Sequence, residues 1–193
     1  MDIANNLTLG YLALRNGSGI VSDIIEIGTE SKWSHVAMIL CDPIDISSNP
    51  IEANKNSWYC FESNTDLGDN VHVIPWQDFI LKESNNPIVI RPFIYENNTI
   101  MPDYERVKLI VDKYVGRPYE AHVSELVLAA FRGNSSEDLG SLFCSELTAL
   151  VLQELGLLEA GRIADNYVPA DFSTERPNAL KLIGALIGNE ICI

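Results

Sequence analysis

The chain has 193 residues, of which 13 are Lys or Arg and 27 are Asp or Glu, so its formal net charge is −14. A chain this acidic repels a phosphate backbone, and nucleic acid is therefore excluded as an expected partner. No stretch approaches the roughly 20 apolar residues of a membrane-spanning helix, so we expect no stable membrane insertion. The length suits one domain over residues 1–193. Because no basic cluster precedes an apolar core at the N-terminus, we expect no secretory signal and a soluble, cytoplasmic protein.

Strands dominate the first half of the chain. They are expected at residues 7–14, 35–41, 58–63, 71–75 and 87–94, where apolar or alternating runs are bounded by turn signals. Ile20, Ile24 and Ile27 at helical spacing predict a helix that stops at Gly28, and residues 76–83 predict a second, short helix. Residues 42–57 have the composition of a loop.

Helices dominate the second half. They are expected at residues 102–115, 122–133 and 144–155, with Gly116 and Gly156 ending the first and the last. Residues 179–188 form a short apolar tail, which we interpret as a core helix packed on the body rather than a membrane contact. Strands followed by helices indicate an α+β fold, with an antiparallel sheet and helices on one side.

The cysteines and histidines are few and irregularly spaced. They are Cys41, Cys60, Cys144, Cys192, His35, His72 and His122. No pair of cysteines has the C-x-x-C spacing, and no cysteine and histidine spacing matches a structural zinc site. Without a secretory signal we expect thiols rather than disulfides, and we expect no metal and no cofactor.

Cys144 stands at the first turn of a predicted helix, in the sequence SLFCSELTALVLQELG. A helix N-terminus carries partial positive charge and free N–H groups, which favour the reactive thiolate. The same N–H groups are suited to hold an oxyanion. The alternative is a buried, unreactive cysteine, because cysteine is among the most buried residue types.

A base for this thiol is offered by His35, which opens the buried strand HVAMILC. A nucleophile and its base need only meet in space, so their separation along the chain does not prevent contact. Glu62, at the end of the next strand, is preferred over Glu52 as the group that orients the imidazole. The alternative for His35 is a hydrogen-bonded surface histidine, and a structural interpretation is favoured for His72 and His122.

Five motifs in a fixed order resemble a known family. They are SKWSHVAMIL, YCFES, VGRPYE, FCSEL and VPADF, and the match around them runs from about residue 7 to residue 173. This set resembles the circularly permuted papain-fold proteins of the NlpC-like superfamily, in its YiiX-like branch, which has relatives in poxviruses. The resemblance implies a permuted papain-like fold, with an antiparallel sheet or a small barrel packed against helices.

The resemblance also implies a thiol site. Its nucleophile corresponds to Cys144, its base to His35 and its third polar group to Glu62. Ser145 and the neighbouring backbone would line the oxyanion side, and Tyr119 of the GRPY motif would lie near the substrate.

One position departs from the family pattern, because Gly10 is followed by Tyr11 where the family often has Gly-Asp. The function expected from the resemblance is a thiol hydrolase that cleaves an amide or ester bond through an acyl-enzyme. Its substrate would be a peptide, a modified protein or a lipid. The alternatives are a lipid acyltransferase or phospholipase on the same site, and a catalytically silent binding module. The sequence predicts no oligomeric state.

Overall fold

The computed structural model describes residues 7–17, 20–47, 55–65, 68–82, 86–96, 101–119 and 143–193. The helix predicted at residues 122–133, and His122 with it, lies outside the described residues.

An antiparallel sheet forms the centre of the fold. Within the described residues its strands are β1 (Thr8–Arg15), β2 (His35–Cys41), β3 (Tyr59–Asn64), β4 (Asn70–Pro75), β5 (Ile88–Tyr95), β6 (Ala185–Ile187) and β7 (Ile191–Cys192). The strand order is β4-β3-β2-β1-β5-β6, and β7 also pairs with β5. The predicted α+β fold with an antiparallel sheet is confirmed. The alternative of a small barrel is wrong, because the sheet runs from one edge strand to another without closing.

The helices of the described residues are α1 (Ile20–Thr29), α2 (Pro43–Ser47), α3 (Trp76–Lys82), α4 (Tyr104–Tyr114) and α5 (Cys144–Glu154). Helix α2 falls where a loop was predicted. The Asp42 carboxylate accepts a hydrogen bond from the Ile44 N–H at 2.9 Å, and Pro43 follows Asp42 directly. A capping Asp followed by Pro at the first helical position is a helix-start signal, although the same pair also ends a strand.

Both faces of the sheet are covered, so the expectation of helices on one side only is wrong. This burial on two faces explains why β2 is an unbroken apolar run. Side chains of one parity, such as Val36, Met38 and Leu40, belong to the larger core cluster with residues of α4 and α5. Side chains of the other parity, such as Ala37 and Ile39, belong to a second cluster that includes residues of α3. Strands buried on two sides lose the alternation of a half-exposed strand.

The apolar tail docks on the body as expected, but the predicted helix at residues 179–188 is wrong. Residues Ala185–Ile187 form β6 and pair with β5. Gly184 has φ of 66° just before that strand, a conformation that breaks a right-handed helix and favours glycine. The buried Arg91 guanidinium holds the segment by donating to the carbonyls of Phe172 and Gly188 at 2.6 and 2.9 Å.

Candidate active site

Four polar side chains lie on one face of the sheet, across the adjacent strands β1 to β4. Arg15 is paired with His35 between β1 and β2, and Glu62 is paired with His72 between β3 and β4. The register of β2 with β3 pairs Met38 with Phe61. Continued by one step, this register places Glu62 opposite Ala37, which lies two residues after His35. Directly paired residues of an antiparallel sheet share a face, and diagonal neighbours lie within reach of long side chains.

Glu62 joins the two histidines of this row. Its Oε2 atom lies 2.6 Å from His35 Nε2, and its Oε1 atom lies 3.1 Å from His72 Nε2. His72 Nδ1 in turn lies 2.9 Å from the backbone carbonyl oxygen of Asn70. Glu62 is 1% exposed and both histidines are buried. The carboxylate is therefore held on each oxygen by one imidazole.

Cys144 reaches the same cluster from the start of α5, although it lies 109 residues after His35 in the chain. The thiol lies close enough to the His35 ring, and to the backbone N–H groups of Val36 and Ser145, for all three to lower its pKa. Because His35 Nε2 faces Glu62, the thiol contact falls to Nδ1. The structure thus brings together the three side chains predicted for the site, in the order thiol, imidazole, carboxylate.

Electrostatics in this cluster favour the ion pair of thiolate and imidazolium. Burial raises the pKa of Cys144, but the charge and hydrogen bond of His35 and the N–H groups of Val36 and Ser145 outweigh it, so the pKa is lowered. Burial and the charge of Arg15 lower the pKa of His35, but Cys144 and the hydrogen bond with Glu62 outweigh them. The net effect raises the pKa of His35 from its ordinary value to about 9. A proton is therefore stabilised on the ring rather than on the sulfur.

Glu62 stays ionised for a related reason. Burial raises the pKa of its carboxyl group, but the hydrogen bonds from His35 and His72 and the nearby charges of His35 and Arg15 lower it well below its ordinary value. An ionised Glu62 holds the His35 ring in one orientation and stabilises its protonated form.

The local sequence explains why the thiol stands at a helix start. Glu146, the third residue of α5, is buried and its carboxylate accepts from the Phe143 N–H at 3.2 Å, which anchors the turn before the helix. The Thr148 hydroxyl donates to the Cys144 carbonyl at 2.8 Å. Leu147 and Leu150 fix the helix on the sheet through the larger core cluster.

Ser145 and Tyr119 were predicted to line the substrate side. Ser145 is buried directly after the thiol, and its backbone N–H contacts the sulfur. Tyr119 packs edge-on against Phe143, with ring centroids 5.9 Å apart, in a small cluster with Ile25. Ser145 thus adjoins Cys144 in the chain, and Tyr119 packs on Phe143, the residue before Cys144. Contact of either side chain with a substrate stays a prediction.

The departure at Gly10-Tyr11 has a structural explanation. Tyr11 is fully buried, stacks on Trp58 with ring centroids 4.8 Å apart, and donates its hydroxyl to the Asp45 carbonyl at 2.8 Å. The position where the family often has an acid is therefore part of the second core cluster in this chain. It offers no carboxylate to a substrate.

His72 was not predicted for the site, and the structure places it there. The signal lay in hairpin pairing: β3 and β4 are consecutive, and their register pairs Asn64 with Asn70 and so Glu62 with His72. Two ionisable side chains directly opposite each other on a buried face of a sheet are unusual, so this pairing could have indicated that Glu62 and His72 interact.

The comparisons with known proteins concern the fold. The chain is an α+β protein with an antiparallel sheet, and its fold is similar to that of a solved structure. That structure is metalloprotein yiiX from Escherichia coli O157:H7, DUF1105, with a TM-score of 0.51 and 16% sequence identity over 96% of each chain. The predicted YiiX-like likeness is thus confirmed for the fold. No family model matches the chain, and no curated protein matches it.

Two further findings hold for the part of the chain that the structure describes. No helix there is long and apolar enough to cross a membrane. Within the same residues, no group of three or more His, Cys, Asp or Glu side chains is arranged to hold a metal ion.

Proposed function

We propose that the chain is a thiol hydrolase of the permuted papain type, of the NlpC-like kind, which cleaves an amide or ester bond through an acyl-enzyme on Cys144. The observation that carries the proposal is the contact between Cys144 and His35, together with the lowered pKa of the thiol. A thiolate beside an imidazolium, with the ring oriented by a carboxylate, is the arrangement of an activated nucleophile.

Acylation begins when the Cys144 sulfur attacks the substrate carbonyl carbon and a carbon–sulfur bond forms. The developing oxyanion is stabilised by N–H groups of the first turn of α5, which have no acceptors within the helix. The bond from that carbon to nitrogen or oxygen then breaks, and the His35 Nδ1 proton passes to the leaving group. The thioester that remains is the acyl-enzyme.

Deacylation reverses these proton movements. Neutral His35 takes a proton from a water molecule, whose oxygen attacks the thioester carbon. The carbon–sulfur bond breaks, the acid leaves, and the thiolate and imidazolium are restored. Glu62 holds the His35 ring through its Nε2 proton in both halves, so the same nitrogen, Nδ1, faces the reacting atoms throughout.

The description of the yiiX structure as a metalloprotein raises the question of a metal here. Each Glu62 oxygen already accepts from an imidazole nitrogen, and the remaining nitrogens of the two rings face Cys144 and the Asn70 carbonyl. A metal ligated by these residues would have to break those hydrogen bonds. The donor set around Cys144 therefore does not fit a resident metal, and no step is assigned to one.

The proposal is tested by trapping the acyl-enzyme. The protein is incubated with p-nitrophenyl esters of short and long acyl chains and with a short peptide ester, and intact-protein mass spectrometry measures the covalent adduct. We expect one acyl group per chain, located on Cys144 after digestion. Cys144→Ala removes the adduct, while Cys192→Ala, at the exposed free cysteine, retains it.

Adding an alcohol or amine acceptor distinguishes the hydrolase from an acyltransferase on the same site, because the first half-reaction is shared. Free acid as the main product supports hydrolysis, and acylated acceptor supports transfer to lipid or amine. A folded protein that forms no adduct with any of these esters, or whose adduct persists in Cys144→Ala, contradicts the proposal and favours a binding module.

A further inference from the structure

We propose that Arg176 is a positioning residue for the thiol site, because it ties the turn that leads into His35 to the carboxylate of Asp171. The inference rests on the proposed function only for its importance to catalysis. Its physical content, a guanidinium that bridges a buried carboxylate and the end of α1, is independent of any substrate. Asp171 belongs to the VPADF motif, which has no role in the steps assigned to the site.

One guanidinium makes the bridge with two of its nitrogens. Arg176 donates from Nη1 to Asp171 Oδ1 at 3.0 Å and from Nη2 to the backbone carbonyl oxygen of Thr29 at 2.6 Å. Asp171 is buried, and its other oxygen accepts from the Val168 N–H at 3.2 Å. Thr29 is the last residue of α1, so its carbonyl finds no donor within the helix. A cation there satisfies the carbonyl and faces the negative end of the helix dipole.

The turn after α1 has a backbone conformation that benefits from such a contact. Glu30 follows Thr29 with φ of 52°, in the left-handed region that favours glycine. The Ser31 N–H then donates to the Glu26 carbonyl at 3.2 Å, as in a Schellman motif. A glutamate at this position adds a backbone cost that glycine avoids. Contacts from outside the helix therefore contribute to holding the turn.

This turn delivers the base of the site. Five residues separate Thr29 from His35. At the far end of this segment, the Ser34 N–H donates to the Arg15 carbonyl at 3.2 Å, next to the pairing of β2 with β1. The segment is thus tied to the guanidinium at one end and to the sheet at the other. Releasing the first tie loosens the approach to His35, and catalytic groups are sensitive to displacements of about 1 Å.

The same carboxylate provides a matched control. Arg162 also pairs with Asp171, from Nη2 to Oδ2 at 2.8 Å, and both arginine side chains are 39% exposed. The other contacts of Arg162 lie in its own segment: it donates to the Asn166 carbonyl and lies 4.1 Å from the centroid of the Tyr167 ring. Arg162→Gln and Arg176→Gln therefore each take one cation from the same carboxylate, and Arg176→Gln also releases the end of α1.

Hydrogen–deuterium exchange with mass spectrometry tests the tie. In peptides that cover residues 29–36, we expect exchange about tenfold faster in Arg176→Gln, the effect of losing a hydrogen bond to a charged group. We expect Arg162→Gln to match the unmodified protein in these peptides. No acceleration in Arg176→Gln would overturn the inference, and so would equal acceleration in both variants. If urea unfolding shows that Arg176→Gln does not fold, Arg176→Lys replaces it under the same criteria, because one ammonium lacks the planar fork of the guanidinium.

The effect on the site is tested by the pH profile of Cys144 alkylation with iodoacetamide, in a Cys192→Ala background. In Arg176→Gln we expect the midpoint to rise by about half a pH unit or more, because a His35 ring that is less firmly placed stabilises the thiolate less. In Arg162→Gln we expect no change. A role in stability alone would leave both midpoints where they are, and that result would contradict the positioning role.

The two proposals fail separately. An acyl-enzyme that never forms, combined with the expected exchange and alkylation patterns, would refute the proposed function and leave this inference standing. An acyl-enzyme that forms on Cys144, combined with unchanged exchange and an unchanged midpoint in Arg176→Gln, would refute this inference and leave the proposed function standing.

Discussion

At the scale of single residues, Glu62 shows how this site is held together. It is a buried carboxylate whose two oxygens contact the nitrogens of two imidazole rings at 2.6 and 3.1 Å. Removing a charge from water is costly, and here hydrogen bonds and nearby positive charge offset that cost, so the pKa of Glu62 is lowered in the folded protein. Because this carboxyl group binds a proton more weakly in the folded protein than in the unfolded chain, the free energy of unfolding depends on pH.

The sign of that dependence follows from the direction of the shift. Below the ordinary carboxyl pKa of 4.5 the unfolded chain takes up a proton at this position that the folded protein does not. The stabilisation by Glu62 is therefore present above that pH and lost as the pH falls below it. Between about pH 4 and pH 3 we expect the unmodified protein to lose ~1.4 kcal/mol more unfolding free energy than Glu62→Gln. Urea unfolding at each pH measures this, and parallel pH profiles would contradict it.

At the scale of elements, strand β1 depends on a glycine at its irregular point. The ladder between β1 and β2 shifts register between Leu9 and Tyr11, with Gly10 between them. A Cβ atom added at Gly10 would lie 2.3 Å from the Cys41 sulfur and 3.3 Å from an Ile46 carbon. The close approach leaves no room for a side chain, so the glycine is required by packing.

Gly10→Ala is therefore expected to lower the free energy of unfolding by about 1–3 kcal/mol, the cost of overpacking a buried position. Gly161→Ala is the matched control, because its added Cβ would meet only Glu159 side-chain atoms at 3.9 Å and beyond. Urea unfolding of the two variants provides the measurement. Similar stabilities for both would mean that β1 yields to the methyl group at little cost.

At the scale of the whole molecule, long-range pairing assembles the site. His35, Glu62 and His72 come from consecutive antiparallel strands, and α5 then packs against β2 and β3 with Cys144 at its start. His35, which precedes Cys144 by 109 residues in the chain, is thereby brought close to it. The C-terminal segment closes the other edge of the sheet through β6 and β7 on β5.

Much of this fold was readable from the sequence, since the apolar runs of β2 and β5 and the capped start of α5 are local signals. The contact of His35 with Cys144 was anticipated by the helix-start position of the thiol and by the family resemblance. His72 was missed because its partner depends on strand register. The tail at residues 179–188 was misread as helix because its apolar content carried no period that distinguished a helix from a strand.

The proposed function requires an activated thiol, and the pH dependence of Cys144 alkylation tests this directly. Iodoacetamide labelling is followed by mass spectrometry in a Cys192→Ala background, which removes the exposed thiol. The midpoint of the rate profile is the readout because it reports the thiol pKa, whereas limited access of the reagent to the buried Cys144 lowers the rate at every pH by the same factor. His35→Ala is the comparison variant.

In the Cys192→Ala background with His35 retained, we predict a midpoint well below about pH 8. An unperturbed cysteine, whose pKa is near 8.5, would give a midpoint near that value. In His35→Ala we predict a midpoint above that value, because burial raises the thiol pKa once the imidazolium is gone. A midpoint at or above about pH 8.5 in both proteins would contradict the account, because it would show that His35 does not lower the thiol pKa.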